Sequence, residues 1–411
     1  MTAVHDTLSD VRTDEVRALT DLAFTEIGVA VGGVHRTHRG ISDRVFRCVG
    51  LVAGRASDPV KTVHDAITDG VYSAIRASTG TAATVGGAVA DLPLAVPPSH
   101  TRTGATVIAA VAGLIGDDLA DRRSVLADGG VTLRVDGAPV EFGNDAVAAA
   151  YPGATGKIIV FVHGLMETEH AFEIGEGPHY GPLFAELGHT PVHVRYNSGR
   201  HISVNGRGLA QRLDRLVQDW PVDVEQIILV GHSMGGLVVR SAVHHADQVG
   251  QGWVRHVTAT ASLGTPHLGA PLESLAHYGS AALLAFRETA SFGALLRRRS
   301  AGIRDLRGGS LVDADWENRD PDELGAAIAQ EIPLLPGVDH YFASATITRS
   351  PRNPIGRLIG DGLVLRPSAS GENRARRIGF DPANGVHLDR AHHFSLLANE
   401  DVAIALIDWV G

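Results

Sequence analysis

Cysteine is nearly absent, Cys48 being the only one in 411 residues. A single thiol excludes an intrachain disulfide and a cysteine-based zinc site. Its neighbours Phe46, Val49 and Leu51 mark it as a packed core thiol. Lysine is almost as scarce, with Lys61 and Lys157 alone among 36 basic residues, a trait of GC-rich coding sequence rather than of function. Acidic residues outnumber basic ones, and the net charge of -10 argues against non-specific nucleic-acid binding. Long apolar runs are missing too. The longest uncharged one, Gly104 to Gly116, stops at Asp117 and Asp118, short of the ~18–20 residues a membrane span needs. The opening residues Met1-Thr2-Ala3-Val4-His5-Asp6 lack a basic segment followed by an apolar one. No secretory signal is read there, and the expected location is the cytoplasm, with contact to a membrane or lipid surface left open.

What is present describes an ordinary globular chain, 44% apolar and 20% charged, long enough to bury a large core. The first ~125 residues read as helical. Thr13, Asp14 and Glu15 resemble a helix start, and Val16, Leu19, Ala23, Ile27, Ala30 and Val34 follow at helical spacing. Asp58-Pro59 opens a second stripe through Val60, Val63, Ile67, Val71 and Ile75. A Gly-rich stretch, Thr79 to Gly87, and Pro97-Pro98 precede a third helical segment over Ala105 to Leu119. Each stripe is single-sided, so packing against other helices or the following domain is the plain reading, beside an acyl- or membrane-binding one.

Near residue 126 the period changes. Val131, Leu133 and Val135 alternate with polar residues, and Asp136-Gly137 predicts a hairpin turn before Val140 and Phe142. Strands are expected at Lys157–Val162, Pro191–Tyr196, Ile227–Val230, Val254–Leu263 and Tyr341–Thr348. An amphipathic helix through Leu209, Leu213, Leu216, Val217 and Trp220 is ended by Pro221, and Asp401–Val410 reads as a closing helix. This order predicts an α/β domain over 126–411, with a mostly parallel sheet and helices on both faces.

Gly231-His232-Ser233-Met234-Gly235 fits the pattern G-x-S-x-G, which alone is weak evidence in a chain with 48 glycines. Context strengthens it. The apolar run Ile227–Val230 leads in, and Leu237, Val238, Ser241, Ala242 and His245 follow at helical spacing. A nucleophile elbow needs that strand–turn–helix setting, with glycines where neighbouring backbone approaches.

These residues resemble the elbow of bacterial lipases and esterases of the α/β-hydrolase superfamily. Phe161-Val162-His163-Gly164-Leu165 is similar to their His-Gly oxyanion loop, and Leu263-Gly264-Thr265-Pro266-His267-Leu268-Gly269 to their Gly-Thr-Pro-His segment. The resemblance covers roughly 155–410 and implies a cofactor-independent serine hydrolase of carboxylic esters, with Ser233 as nucleophile. It implies oxyanion donors at Met234 and Leu165, with His163 bracing the loop. Asp361, in Asp361-Gly362-Leu363-Val364, is the implied acid, ahead of Asp339. His393, opening His393-Phe394-Ser395-Leu396-Leu397, is the implied base, ahead of His392 and His387. No metal site is read from His392 and His393, whose adjacent side chains point apart.

The stretch from about 268 to 336 is longer than a parallel connection needs and is expected to be a cap or lid. It carries Leu272, Leu275, Ala282, Leu283, Leu284, Phe286, Leu295 and Leu296, then Arg297-Arg298-Arg299. Asn197-Ser198-Gly199-Arg200-His201 is a candidate cleft wall or a plain turn. Acyl esters or lipids are the expected substrates. A thioesterase, an acyltransferase or an intracellular polyester depolymerase would use the same triad, and an inactive binding scaffold is the alternative outside the enzymes.

Overall fold

Ile158, Ile159, Val160, Phe161 and Val162 have no solvent exposure at all. That is what a continuous apolar run becomes when a strand is covered on both faces. They belong to β3 (Lys157–Val162) in the computed structural model, which describes residues 11–19, 96–127, 130–270, 300–319, 329–349, 360–374 and 376–410. The other strands are β1 (Thr132–Val135), β2 (Ala138–Pro139), β4 (Thr190–Arg195), β5 (Gln226–His232), β6 (Val257–Leu263), β7 (Asp339–Thr346) and β8 (Gly385–Asp389). They form one eight-stranded sheet in the order β2-β1-β4-β3-β5-β6-β7-β8. Strands β3 to β8 run parallel, while β1 pairs antiparallel with β2 and β4. The predicted hairpin is present, with Asp136 and Gly137 both at positive φ (50° and 79°), as a two-residue turn of this hand requires.

The helices whose bounds lie within the described residues are α1 (Arg102–Asp121), α2 (Asn144–Ala150), α3 (Tyr180–Glu186), α4 (Ile202–Asp219), α5 (Met234–Val249), α6 (Ala301–Leu306), α7 (Arg366–Ala369) and α8 (Glu400–Val410), and residues 11–19 are helical as well. Side chains of β3 alternate between two apolar layers. Ile158, Val160 and Val162 meet Leu209, Leu213 and Leu216 of α4 and Leu237 and Val238 of α5. Ile159 and Phe161 meet Phe172, Phe184 and the α8 residues Val402 and Leu406. Both faces of the sheet are thereby dry.

Sequence periodicity finds the long elements and misses the short ones. The expected strand from Val254 begins at Val257, because Gly252–His256 is a 3-10 turn. Strand β8 was not anticipated: Gly-Val-His-Leu-Asp is short, half polar and recognisable only by its pairing to β7, Phe342 opposite Gly385. Helices α2 and α3, seven residues each, carry no usable period.

Helix α1 covers the third predicted helical stretch. Thr101 caps it, its Oγ1 accepting from Gly104 N at 3.1 Å. By length and composition alone α1 could cross a membrane. Here its small residues face the α/β domain instead. A Cβ on Gly113 would collide with Met166, and one on Gly116 with Asn197. Asn197 Nδ2 donates to Gly116 O at 2.9 Å, Ser300 Oγ to Gly113 O at 2.6 Å, and Ala301 N to Asp117 Oδ2 at 2.8 Å. Cys48, most of the two earlier helical stripes and the apolar and basic segment 271–299 of the expected lid lie outside the described residues.

After β3 the chain places β4 on one side and β5 on the other. The order reverses there, and the carboxyl ends of strands at such a switch point are where ligands bind in open α/β sheets. His163-Gly164 follows β3, and Ser233 follows β5.

Candidate active site

Ser233 sits between β5 and α5 with φ 52° and ψ −122°. A non-glycine residue at positive φ is strained, by roughly 1–3 kcal/mol, and persists only where its surroundings impose it. They do so here: Ser233 N donates to Leu263 O at 2.8 Å, and Gly236 N to Ser233 O at 3.2 Å. The flanking glycines are sterically required, since a Cβ on Gly231 would strike the backbone of Gly235 and Gly236, and one on Gly235 the carbonyl of Val162. The sharp turn lifts the serine to the carboxyl edge of the sheet.

The loop after β7 delivers Asp361 and the turn before α8 delivers His393, each about 2% exposed. Nδ1 of His393 lies 2.8 Å from Asp361 Oδ2, and His393 N donates to Asp361 O at 3.0 Å. The other carboxylate oxygen accepts from Leu363 N (2.9 Å) and Val364 N (2.7 Å), which fixes the acid before the histidine arrives. Burial alone would push His393 down. The Asp361 charge and hydrogen bond, helped by Glu167, more than offset it and hold His393 above its usual 6.5. Its Nε2 is buried without a hydrogen-bond partner. A Cβ on Gly264 would lie 3.0 Å from His393 Cε1, so the ring rests on the residue next to Leu263, whose carbonyl holds Ser233 N. The structure thus gathers Ser233, His393 and Asp361 at one edge.

The loop after β3 closes the third side. His163 is fully buried and its ring is committed to backbone: Nδ1 to Gly164 O at 2.8 Å, and Nε2 accepting from Tyr196 N at 3.2 Å. It stacks on Tyr196 at 4.3 Å, and burial drives its pKa down to about 4. Met166 N donates to Ser198 Oγ at 3.0 Å, and Gly164 N to Glu167 Oε2 at 2.7 Å. Leu165 N and Met234 N, the two expected oxyanion donors, meet no internal acceptor among the described residues. A Cβ on Gly164 would stand 2.9 Å from Ser233 Cβ, so the loop passes directly beside the serine.

A parallel sheet with a strained serine at its topological switch point and an acid then a histidine downstream decides the architecture. The fold is that of the α/β-hydrolases. Residues 154–310 match the family model described as "Putative serine esterase (DUF676)". Similar solved structures include the mature form of Bacillus licheniformis lipase BlEst2, 18% identical, covering 68% of this chain and 96% of that one with TM-score 0.40. The metagenomic carboxyl esterase MGS0156 is 17% identical over 73% of this chain and 91% of its own, with TM-score 0.34. A lipase-esterase related protein from Clostridium acetobutylicum is 14% identical over 63% and 96%, with TM-score 0.33. The comparison with curated proteins finds no match.

The competing site candidates fall elsewhere. Asp339 is exposed and begins β7, at the end of the sheet opposite Ser233. His387 lies on β8, bonded through Nδ1 to Ser344 Oγ at 2.8 Å. His392 is only partly buried, and burial lowers its pKa below the usual value. Residues 197–201 form a joint between α1, the β3 loop and α6, with His201 Nδ1 on Asp305 at 3.0 Å and its ring stacked on Trp316 at 3.7 Å. Sequence reading overlooked Glu167, which carries no motif signal. It is recognisable only once Gly164 and His232 converge on it, His232 Nδ1 lying 3.0 Å from Oε2.

Proposed function

We propose that this chain hydrolyses carboxylic esters through an acyl-enzyme on Ser233. One observation carries the reading: a buried Asp361–His393 pair leaves an imidazole nitrogen unpartnered at the same sheet edge that carries a serine held at strained φ.

Ser233 Oγ attacks the acyl carbon while His393 Nε2 takes its proton, and the carbonyl electron pair moves onto oxygen. Met234 N–H and Leu165 N–H stabilise that oxyanion. Collapse expels the alcohol oxygen, which takes the proton from His393, and the acyl group remains on Ser233. Water then attacks with the same proton relay, releasing the acid and restoring the serine. Asp361 keeps the imidazole in the tautomer with Nε2 free to accept, and stabilises the imidazolium formed during attack. The cycle needs no cofactor.

The test is labelling with a fluorophosphonate probe followed by turnover of p-nitrophenyl esters of increasing acyl length. Labelling of Ser233, and its loss together with turnover in Ser233→Ala, is the expected result. Folded wild-type protein that neither labels nor turns over any ester overturns the reading.

A further inference from the structure

We propose that Glu167 is a positioning residue for this reaction, tying the loop after β3 to the nucleophile elbow with one carboxylate oxygen. The inference rests on the reading of Ser233 as nucleophile. Oε2 accepts from two donors on different segments, Gly164 N at 2.7 Å and His232 Nδ1 at 3.0 Å. The first belongs to the loop that carries Leu165, and the second immediately precedes Ser233. A Cβ on Gly164 would lie 2.9 Å from Ser233 Cβ and 3.0 Å from Glu167 Oε2. Gly164 therefore leaves no room for a side chain where the nucleophile and the carboxylate both close on it.

Two carboxylate–imidazole pairs consequently flank the serine, Asp361 with His393 and Glu167 with His232. The imidazole rings are 4.8 Å apart, and each leaves Nε2 buried and unpartnered. Burial would push Glu167 up, but the His232 charge and hydrogen bond and the Gly164 N–H outweigh it and keep its carboxyl below the ordinary value. A fixed anion thus stands behind the oxyanion loop. The titratable groups around His393 are Asp361, Glu167, His232 and His392. Of these, Asp361 and Glu167 favour its charged form.

Geometry and charge are separable because a glutamine oxygen can accept both N–H groups without the charge. Glu167→Ala removes both bonds and lets the loop shift, and a misplacement near 1 Å costs roughly a hundredfold in rate. The expected result for Glu167→Ala is a kcat lowered about ten- to a hundredfold, with KM changed far less. Glu167→Gln is expected to restore most of kcat. It also moves the acid limb of the kcat/KM profile to lower pH, since losing a nearby anion makes the imidazolium easier to deprotonate.

Two results overturn the proposal: Glu167→Ala with kcat within twofold of wild type, or Glu167→Gln with an unmoved acid limb. If the alanine variant fails to fold, the glutamine variant still decides through its pH profile. Failure of the underlying hydrolase reading looks different. Wild-type protein would then escape the fluorophosphonate probe, or Ser233→Ala would keep its turnover, whatever happens at Glu167.

Discussion

His393 and Asp361 meet twice, side chain to side chain at 2.8 Å and His393 N to Asp361 O at 3.0 Å, so the carboxylate holds the ring while the Asp361 main-chain carbonyl holds the backbone that carries it. Asp361→Asn therefore perturbs charge more than position. The free base is the reactive form, so wild-type kcat/KM should rise with pH through a value above 6.5. Without the Asp361 charge, burial dominates and the acid limb should move to lower pH. The same variant should lose kcat by roughly 10⁴, because the wrong imidazole tautomer is held. Steady-state kinetics over a pH series measures both effects, and an unmoved limb would assign the base elsewhere.

The strain at Ser233 predicts a trade between stability and activity. Ser233→Gly removes the positive-φ penalty of roughly 1–3 kcal/mol, less the ~1 kcal/mol entropic cost of glycine in the unfolded chain. The expected net gain is about 1 kcal/mol, seen as a higher Tm, with ester turnover abolished. Ser233→Ala keeps the Cβ and the strain and should lose activity without gaining stability. A Tm for Ser233→Gly below that of Ser233→Ala by the full entropic cost of glycine would show that the elbow is unstrained.

His163 should make the fold acid-sensitive. Its pKa is about 4 when folded, against 6.5 unfolded, so between these values the unfolded state binds more protons. Stability must then fall as pH drops below 6.5. The loss is about 2 kcal/mol by pH 5, at 1.36 kcal/mol per pH unit. Urea titrations of wild type and His163→Gln at pH 8 and pH 5 test this. The variant should start less stable, having lost the Tyr196 and Gly164 contacts, and decline less; parallel declines would remove His163 as the cause.

Helix α1 should matter to turnover although it precedes the sheet in sequence. Gly116→Val would drive a side chain into Asn197, which donates to Gly116 O and whose Oδ1 accepts from Gly199 N at 3.0 Å. Overpacking of this kind costs roughly 1–3 kcal/mol. Because the neighbouring Ser198 holds Met166 N beside Leu165, the expected signature is a fall in kcat/KM as well as in Tm. A fall in Tm with unchanged kinetics would make α1 a support without influence on the site.

Much of this protein is legible in its sequence. The period-two hairpin, the apolar run of β3, the strand into Ser233 and the glycines at 231 and 235 state their structures locally, because steric and burial demands act on neighbouring residues. The order of Ser233, Asp361 and His393 follows from the connectivity of the fold. Tertiary structure alone decided the rest. Strand β8 exists because β7 offers it an edge, and α1 docks because Gly113 and Gly116 meet Met166 and Asn197 far along the chain. Resemblance puts His393 ahead of its neighbour His392 in sequence; the backbone and side-chain bonds to Asp361 show that the His393 ring is the one that faces the acid. Glu167 has no motif at all, and its meaning is the meeting of Gly164 with His232 on one oxygen, His232 lying 65 residues along the chain from Glu167.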